Sequence, residues 1–66
     1  MKNTIRVERA ILNITQAQLG EQVGVSRQAI NTIENGKYIP STTLAIKIAR
    51  FFNKKVEDIF LIEEGD

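Results

Sequence analysis

The segment from Gln16 to Asn35 constrains the fold of this chain more than any other. A small residue, Gly20, lies inside its first run of helical spacing, and Gly24 follows that run. Two short helices that cross steeply need a small residue where their backbones approach and a residue that tolerates positive φ where the chain turns. The segment therefore predicts two short helices joined by a tight turn. Its apolar positions are Leu19, Val23, Val25, Ile30 and Ile33.

The outward face of the second of these helices is polar. It carries Arg27, Gln28 and Asn31, with Thr32 beside them. Arg, Gln and Asn side chains can form paired hydrogen bonds with base edges in the DNA major groove. The same residue types are also common on an ordinary solvated helix face. Their place on the second helix of a steep pair favours a helix-turn-helix module whose second helix contacts bases.

The size and composition of the chain limit what else it can be. Its 66 residues predict one domain, 1–66, with a core so small that oligomerisation is the remaining route to added stability. Without Cys or His, disulfides and ordinary Cys/His metal sites are excluded, and we expect no cofactor. No apolar run approaches the roughly 20 residues that span a bilayer. We expect a cytoplasmic protein with no membrane partner.

Charge is distributed unevenly along the chain. The net charge is only +1, but all nine basic residues precede residue 56, and residues 56–66 contain five acidic residues and no basic one. This asymmetry suggests a basic contact surface and an acidic tail held away from it. Ordinary solvated charge is the alternative interpretation.

The pattern predicts an all-α chain with five helices. A capping box at Thr15 and Gln18 opens the second helix, while Ser26 and Ser41 are good N-caps for the third and fourth. Thr4 is the candidate cap of the first. The C-terminal tail, 61–66, forms either a short strand or an irregular arm. The predicted helices run from Thr4 to Leu12 or Asn13, Thr15 to Val23, Ser26 to Asn35, Thr42 to Phe52 and, as one short turn, Val56 to Phe60.

Five segments, in order and at their spacing, resemble the Cro and lambda-repressor (XRE) family of helix-turn-helix regulators. The resemblance covers nearly the whole chain and implies a compact five-helix DNA-binding domain with its helix-turn-helix motif at 16–35. It also implies a transcriptional regulator, most simply a repressor that acts as a homodimer on a palindromic operator. The matching segments are Thr15-Gln16, Ser26-Arg27-Gln28, Ile33-Glu34-Asn35-Gly36-Lys37, Pro40-Ser41 and Val56-Glu57-Asp58-Ile59-Phe60.

The resemblance also implies roles for residues outside the outward face. Gln16 matches a glutamine that contacts the sugar-phosphate backbone, and Asn35 and Lys37 resemble further backbone contacts. Tyr38 either lies along the DNA backbone or covers the loop before the fourth helix. Arg9 and Glu34 match a structural salt bridge that locks the first helix against the third.

One departure from the family lies inside the second helix. Gly20 stands where the family more often has alanine, and glycine in a helix interior costs about 1 kcal/mol relative to alanine.

Apolar residues near the C-terminus exceed what so small a domain can bury. They either close the single core or form a homodimer surface, and the resemblance favours the dimer. The residues are Phe51, Phe60, Leu61 and Ile62.

These expectations assign the chain to DNA binding. The expected partners are double-stranded DNA and a second copy, and because no further domain follows, we expect no small-molecule ligand. A protein-interaction adaptor of the same fold is the alternative function. Catalysis is not expected, because the chain has no His or Cys, no phosphate-binding glycine loop and few acidic residues outside its tail.

Overall fold

Polar side chains fix where the helices of this protein begin. In the computed structural model, which describes residues 1–66, Thr15 Oγ1 accepts from the Gln18 backbone N–H at 3.0 Å, and Gln18 Oε1 accepts from the Thr15 N–H at 2.8 Å. The predicted capping box is therefore present, and Ser26 and Ser41 cap the next two helices as expected. The five helices are α1 (Ile5–Leu12), α2 (Gln16–Val23), α3 (Arg27–Glu34), α4 (Thr42–Phe51) and α5 (Val56–Ile59).

The capping hydrogen bond of the first helix comes from a different side chain than expected. Asn3 Oδ1 accepts from the Ile5 backbone N–H at 3.2 Å, whereas the Thr4 side chain makes no capping hydrogen bond. Thr4 has φ −108° and ψ 18°, and an N-cap side chain usually acts from extended backbone. Thr4 therefore occupies the N-cap position as expected, but the capping hydrogen bond comes from the Asn3 side chain.

Two short strands join the ends of the chain. Strand β1 (Lys2–Asn3) pairs antiparallel with β2 (Phe60–Leu61), with Asn3 opposite Phe60. The last helix therefore ends at Ile59, one residue earlier than predicted, and the tail begins as a strand before it becomes irregular. Strand β1 was not predicted, because a strand of two polar residues carries no periodic signal.

The core is formed by one face of each helix. Ile5, Leu19, Ile30, Ile33, Ile48 and Ile59 are fully buried. Phe60 is only 6% exposed and belongs to this core. Its expected place in a dimer surface needs correction, because its ring is packed inside the protomer. Phe51 is half-buried, with its ring edge-to-face against Phe52 at 5.1 Å between centroids. No helix has both the length and the apolar character needed to cross a membrane.

The turn between α2 and α3 packs directly on Gly20. A Cβ atom at this buried position would lie 2.5 Å from the Val25 carbonyl oxygen, which is closer than real Cβ contacts come. Gly24 follows α2 with φ 81°, in the left-handed region that favours glycine. The backbone of the turn thus approaches α2 closely and fixes where α3 begins, as the positions of the two glycines predicted.

Candidate nucleic-acid interface

The outward face of α3 is polar and accessible. Arg27 and Gln28 are exposed, and neither side chain takes part in the internal hydrogen bonds or ion pairs of the protein. Asn31 is half-buried on the same side. Thr32 is held differently, because its hydroxyl donates to the backbone carbonyls of Gln28 at 3.2 Å and Ala29 at 2.9 Å. Thr32 therefore offers a methyl group and oxygen lone pairs, without a free proton.

A buried ion pair fixes the C-terminal half of α3. The Arg9 guanidinium donates to both carboxylate oxygens of Glu34, with Nη2 at 3.0 Å from Oε1, and its Nη1 donates to the Ile14 carbonyl at 3.0 Å. The Glu34 side chain is 1% exposed and that of Arg9 is 16% exposed. Hydrogen bonding to Glu34 raises the pKa of Arg9 above its ordinary value, against the effect of burial. This is the pair that the family resemblance implied, and it ties α1, the α1–α2 loop and α3 together.

Gln16 belongs to the same cluster. Its Nε2 donates to Asn31 Oδ1 at 3.2 Å and to Glu34 Oε1 at 3.3 Å. An amide NH₂ has two protons, and each has an acceptor within the protein. The contact expected between the Gln16 side chain and the DNA backbone stays a prediction, in which a phosphate would take the place of one of these acceptors. Backbone N–H groups in the first turn of α2 remain without intrahelical partners.

The remaining predicted backbone contacts lie just beyond α3. Asn35, Lys37 and Tyr38 are exposed, and Gly36, with φ 73°, turns the chain between the first two. Arg6, which sequence reasoning did not single out, is largely exposed, with Nε 3.7 Å from Glu34 Oε1. The sequence around Arg6 contains no DNA-binding signal, because Arg6 lies near α3 only in the folded chain.

The acidic tail is closer to this surface than the charge pattern suggested. Glu63 lines a shallow cleft together with Asn35 and Gly36. The Met1 ammonium lies 3.5 Å from Glu63 Oε1 and 3.2 Å from Asp66 Oδ1, which holds the tail against the N-terminus. The expectation that the tail is held away was therefore wrong at Glu63. The acidic side chains do not come together in any group of three that could hold a metal ion.

Two exposed apolar patches lie outside the motif. At the tail, Leu61 is exposed and Ile62 is 84% exposed. On the outer side of α1, Val7 and Ile11 lie one turn apart and are both more than half exposed. The structure thus separates the predicted C-terminal apolar group into buried Phe60, half-buried Phe51 and the exposed pair Leu61 and Ile62.

Comparison with known proteins gives one consistent result. The helix-turn-helix family model matches residues 5–59. The chain is 53% identical over 66 residues, all of both chains, to an uncharacterized HTH-type transcriptional regulator of Methanocaldococcus jannaschii. It is 48% identical over 64 residues, 97% of each chain, to one of Bacillus subtilis.

A solved structure shares the same fold. The crystal structure of the P22 c2 repressor protein in complex with a synthetic operator matches with a TM-score of 0.77 and 32% identity, over 80% of each chain. The family and the fold are those of transcription regulators and not of enzymes. The chain therefore belongs to the helix-turn-helix family of DNA-binding transcriptional regulators, of the Cro and lambda-repressor type.

Proposed function

We propose that this protein binds a specific DNA operator with α3 in the major groove and acts most simply as a repressor. The observation that carries the proposal is the outward face of α3, where Arg27, Gln28 and Asn31 stand on a helix held rigidly by the Arg9–Glu34 pair. Such side chains can discriminate bases by about 1–3 kcal/mol for each good pair. The similarity to a repressor solved with its operator supports the same mode of binding.

Backbone contacts would set the register of α3 on the duplex. The exposed side chains of Asn35, Lys37 and Tyr38 follow the C-terminus of α3, and the first turn of α2 presents free N–H groups at its positive dipole end. Contacts of this kind position a protein on DNA without reading its sequence. Occupancy of a promoter would then exclude the polymerase. The proposed location is the cytoplasm, because the relatives come from prokaryotes, whose chromosomal DNA lies there.

We further propose that the protein acts as a homodimer on a palindromic operator. Exposed Leu61, in β2, and Ile62, just after it, provide apolar area at the end of the protomer, with half-buried Phe51 as a secondary contributor. In such a dimer the two α3 helices would lie about 34 Å apart and enter successive turns of the major groove. Ile62→Ser is expected to raise the dimer dissociation constant in sedimentation equilibrium, whereas the same change at Ile46, on α4, leaves it unaltered. Equal behaviour of the two variants would contradict this interface.

A protein-interaction adaptor is the second candidate function, and one observation favours it. The outer side of α1 exposes Val7 and Ile11, an apolar stripe that is not buried in the core. The polar outward face of α3 favours DNA binding over this alternative.

Selection of bound sequences from random duplex DNA tests the proposal. Wild type is expected to enrich a palindrome with half-sites about one helical turn apart. The Arg27→Ala/Gln28→Ala variant is expected to lose this enrichment while remaining folded. Failure of folded wild type to enrich any motif at low salt would favour the adaptor.

A further inference from the structure

Residues 63–66 form a closed turn, called the acidic turn below because Glu63, Glu64 and Asp66 are three of its four residues. The Glu63 backbone N–H donates to Asp66 Oδ2 at 2.7 Å, and the Asp66 N–H donates to the Glu63 carbonyl at 3.0 Å. Gly65, with φ 96°, provides the left-handed backbone within it. The acidic turn therefore has a defined shape, although all four of its residues are exposed.

Two sets of contacts hold the acidic turn against β1 and Met1. Strand β2, which precedes the turn, pairs with β1, with Leu61 opposite Lys2. The Met1 ammonium lies 3.5 Å from Glu63 Oε1 and 3.2 Å from Asp66 Oδ1. The Met1 side chain is half-buried and packs against the core, so it is itself anchored. The Glu63 and Asp66 carboxylates therefore have a fixed place on the surface.

That place adjoins the loop after α3. Glu63 lines a cleft together with Asn35 and Gly36. A Cβ atom at Gly36 would lie 3.4 Å from the Met1 carbonyl oxygen, so the loop backbone passes directly beside the first residue. Asn35 and Lys37 are the contacts with the DNA backbone that the proposed function places in this loop. A fixed carboxylate thus lies next to a surface that would receive phosphates.

The acidic turn reverses the sign of the charge beside this loop. Two positive groups lie there, the Met1 ammonium and Lys2, and the turn adds three carboxylates. Glu34 also lines the cleft, but its carboxylate is paired with Arg9. The excess charge is therefore negative. Carboxylates and phosphates repel each other, and at 0.1 M salt this repulsion extends over a Debye length of about 10 Å.

We propose that the acidic turn is autoinhibitory and that its fixed carboxylates, Glu63 above all, weaken the binding of DNA at the loop after α3. The inference rests on the proposed function, in which this loop contacts the sugar-phosphate backbone. Backbone contacts are made to every duplex, whatever its sequence. The acidic turn therefore lowers the affinity for operator and random DNA by the same factor and leaves the preference between them unchanged.

Neutralising Glu63 tests the proposal. Glu63→Gln keeps the size of the side chain and removes its charge. We expect this variant to bind a random duplex and the selected operator about threefold more tightly at low salt, the effect of one unit charge several ångströms from a phosphate in water. A Glu63→Gln variant that gains no affinity would overturn the proposal.

Two control variants remove the same charge elsewhere. Glu21→Gln lies on the exposed side of α2, and Glu64→Gln lies in the acidic turn but takes part in none of its ion pairs. Both should raise the affinity by less than Glu63→Gln does. An equal gain in Glu21→Gln would assign the effect to net charge, and an equal gain in Glu64→Gln would show that the fixed place of Glu63 has no effect. Either result would overturn the proposal.

Salt dependence separates an electrostatic role of Glu63 from a structural one. Repulsion between exposed charges is screened, so the gain of Glu63→Gln on the operator should shrink as salt rises from about 0.05 M to about 0.3 M. A gain that is the same at every salt concentration would overturn the electrostatic mechanism. Circular dichroism of each variant checks that it is folded under these conditions.

The outcomes also separate this inference from the proposed function. If wild type prefers the operator and Glu63→Gln gains no affinity, the proposed function stands and this inference fails. If neither protein binds duplex DNA at low salt, the proposed function fails, and this inference fails with it. A gain of Glu63→Gln on the operator alone would place Glu63 beside a base instead of a phosphate, and would overturn the inference.

Discussion

The two ends of α3 hold their polar side chains in different ways. At the N-terminal end, Arg27 and Gln28 extend into solvent without partners in the protein. In the C-terminal half, Asn31 and Glu34 are joined to Gln16 and Arg9 by hydrogen bonds. Ordering a free side chain costs rotamer entropy when it binds, and a side chain already fixed has lost that freedom on folding. One recognition helix thus combines an adaptable end with a preorganised end.

Removing the centre of the preorganised end should have the largest effect. Glu34→Ala leaves the mostly buried Arg9 guanidinium without its partner, and we expect a loss of about 3–5 kcal/mol in the free energy of unfolding. Urea unfolding followed by circular dichroism measures this loss. The matched control, Glu21→Ala on the exposed side of α2, should change stability by no more than about 0.5 kcal/mol. A loss at Glu34 no larger than in the control would show that the ion pair does not hold α3.

The adaptable end depends on the turn that precedes it. Gly20→Val places atoms where the Val25 carbonyl lies, and overpacking of this kind costs about 1–3 kcal/mol. Ala17→Val makes a β-branched side chain at an exposed position of the same helix and should cost a few tenths of a kcal/mol, roughly the difference in helix propensity. Thermal unfolding of both variants compares them. Equal melting temperatures would mean that the turn moves freely away from α2.

Base contacts and backbone contacts should respond differently to alanine. Arg27→Ala is expected to relax preference at one base position by about 1–3 kcal/mol. Lys37→Ala should weaken binding to all duplexes and reduce the slope of log affinity against log salt by about one. Titrations of specific and random duplexes at several salt concentrations measure both effects. If the two variants behaved alike on the two duplexes, α3 would not be the helix that recognises the base sequence.

The ion pairs of the tail should give the smallest effect, and one that depends on pH. A hydrogen bond with Asp66 raises the pKa of the Met1 ammonium above its ordinary value of 8.0, and a hydrogen bond from the Glu63 backbone N–H lowers the pKa of Asp66 below 3.8. The contribution of Met1 is present below 8.0 and is lost as pH rises through its folded pKa. That of Asp66 is present above 3.8 and is lost as pH falls through its folded pKa.

The tail pair can be tested by substitution. Asp66→Asn should flatten the decrease in stability of wild type above pH 8.0, as measured by unfolding at a series of pH values. Glu64→Asn is the control, because Glu64 takes part in no ion pair of the tail. An unchanged pH profile in Asp66→Asn would assign the decrease to other groups.

Local signals predicted most of the fold. The capping box of Thr15 and Gln18, the caps Ser26 and Ser41, and the glycine after α2 each depend on residues within four positions of one another. Features that need distant residues were not predicted. Strand β1 exists only because Phe60–Leu61 lies beside it. Asn3, a residue of that strand, supplies the side chain that caps α1.

The candidate surface shows the same limit. Helical spacing alone placed Arg27, Gln28 and Asn31 on one face, whereas the Arg9–Glu34 pair was expected only from the family resemblance. The bonds of Gln16 to Asn31 and Glu34 join residues 15 and 18 positions apart, so no spacing within one helix reveals them. Exposure at the C-terminus likewise depended on tertiary packing, which buried Phe60 and left Ile62 at the surface.

Equilibrium binding of wild type and of the Arg27→Ala/Gln28→Ala variant tests the central claim, that α3 reads DNA sequence, most directly. Both proteins are titrated with the selected operator and with a scrambled duplex at one salt concentration. We expect wild type to prefer the operator by about 10³-fold or more, as specific binders do, and the variant to bind both duplexes with nearly equal affinity. A variant that keeps the preference of wild type would contradict the account.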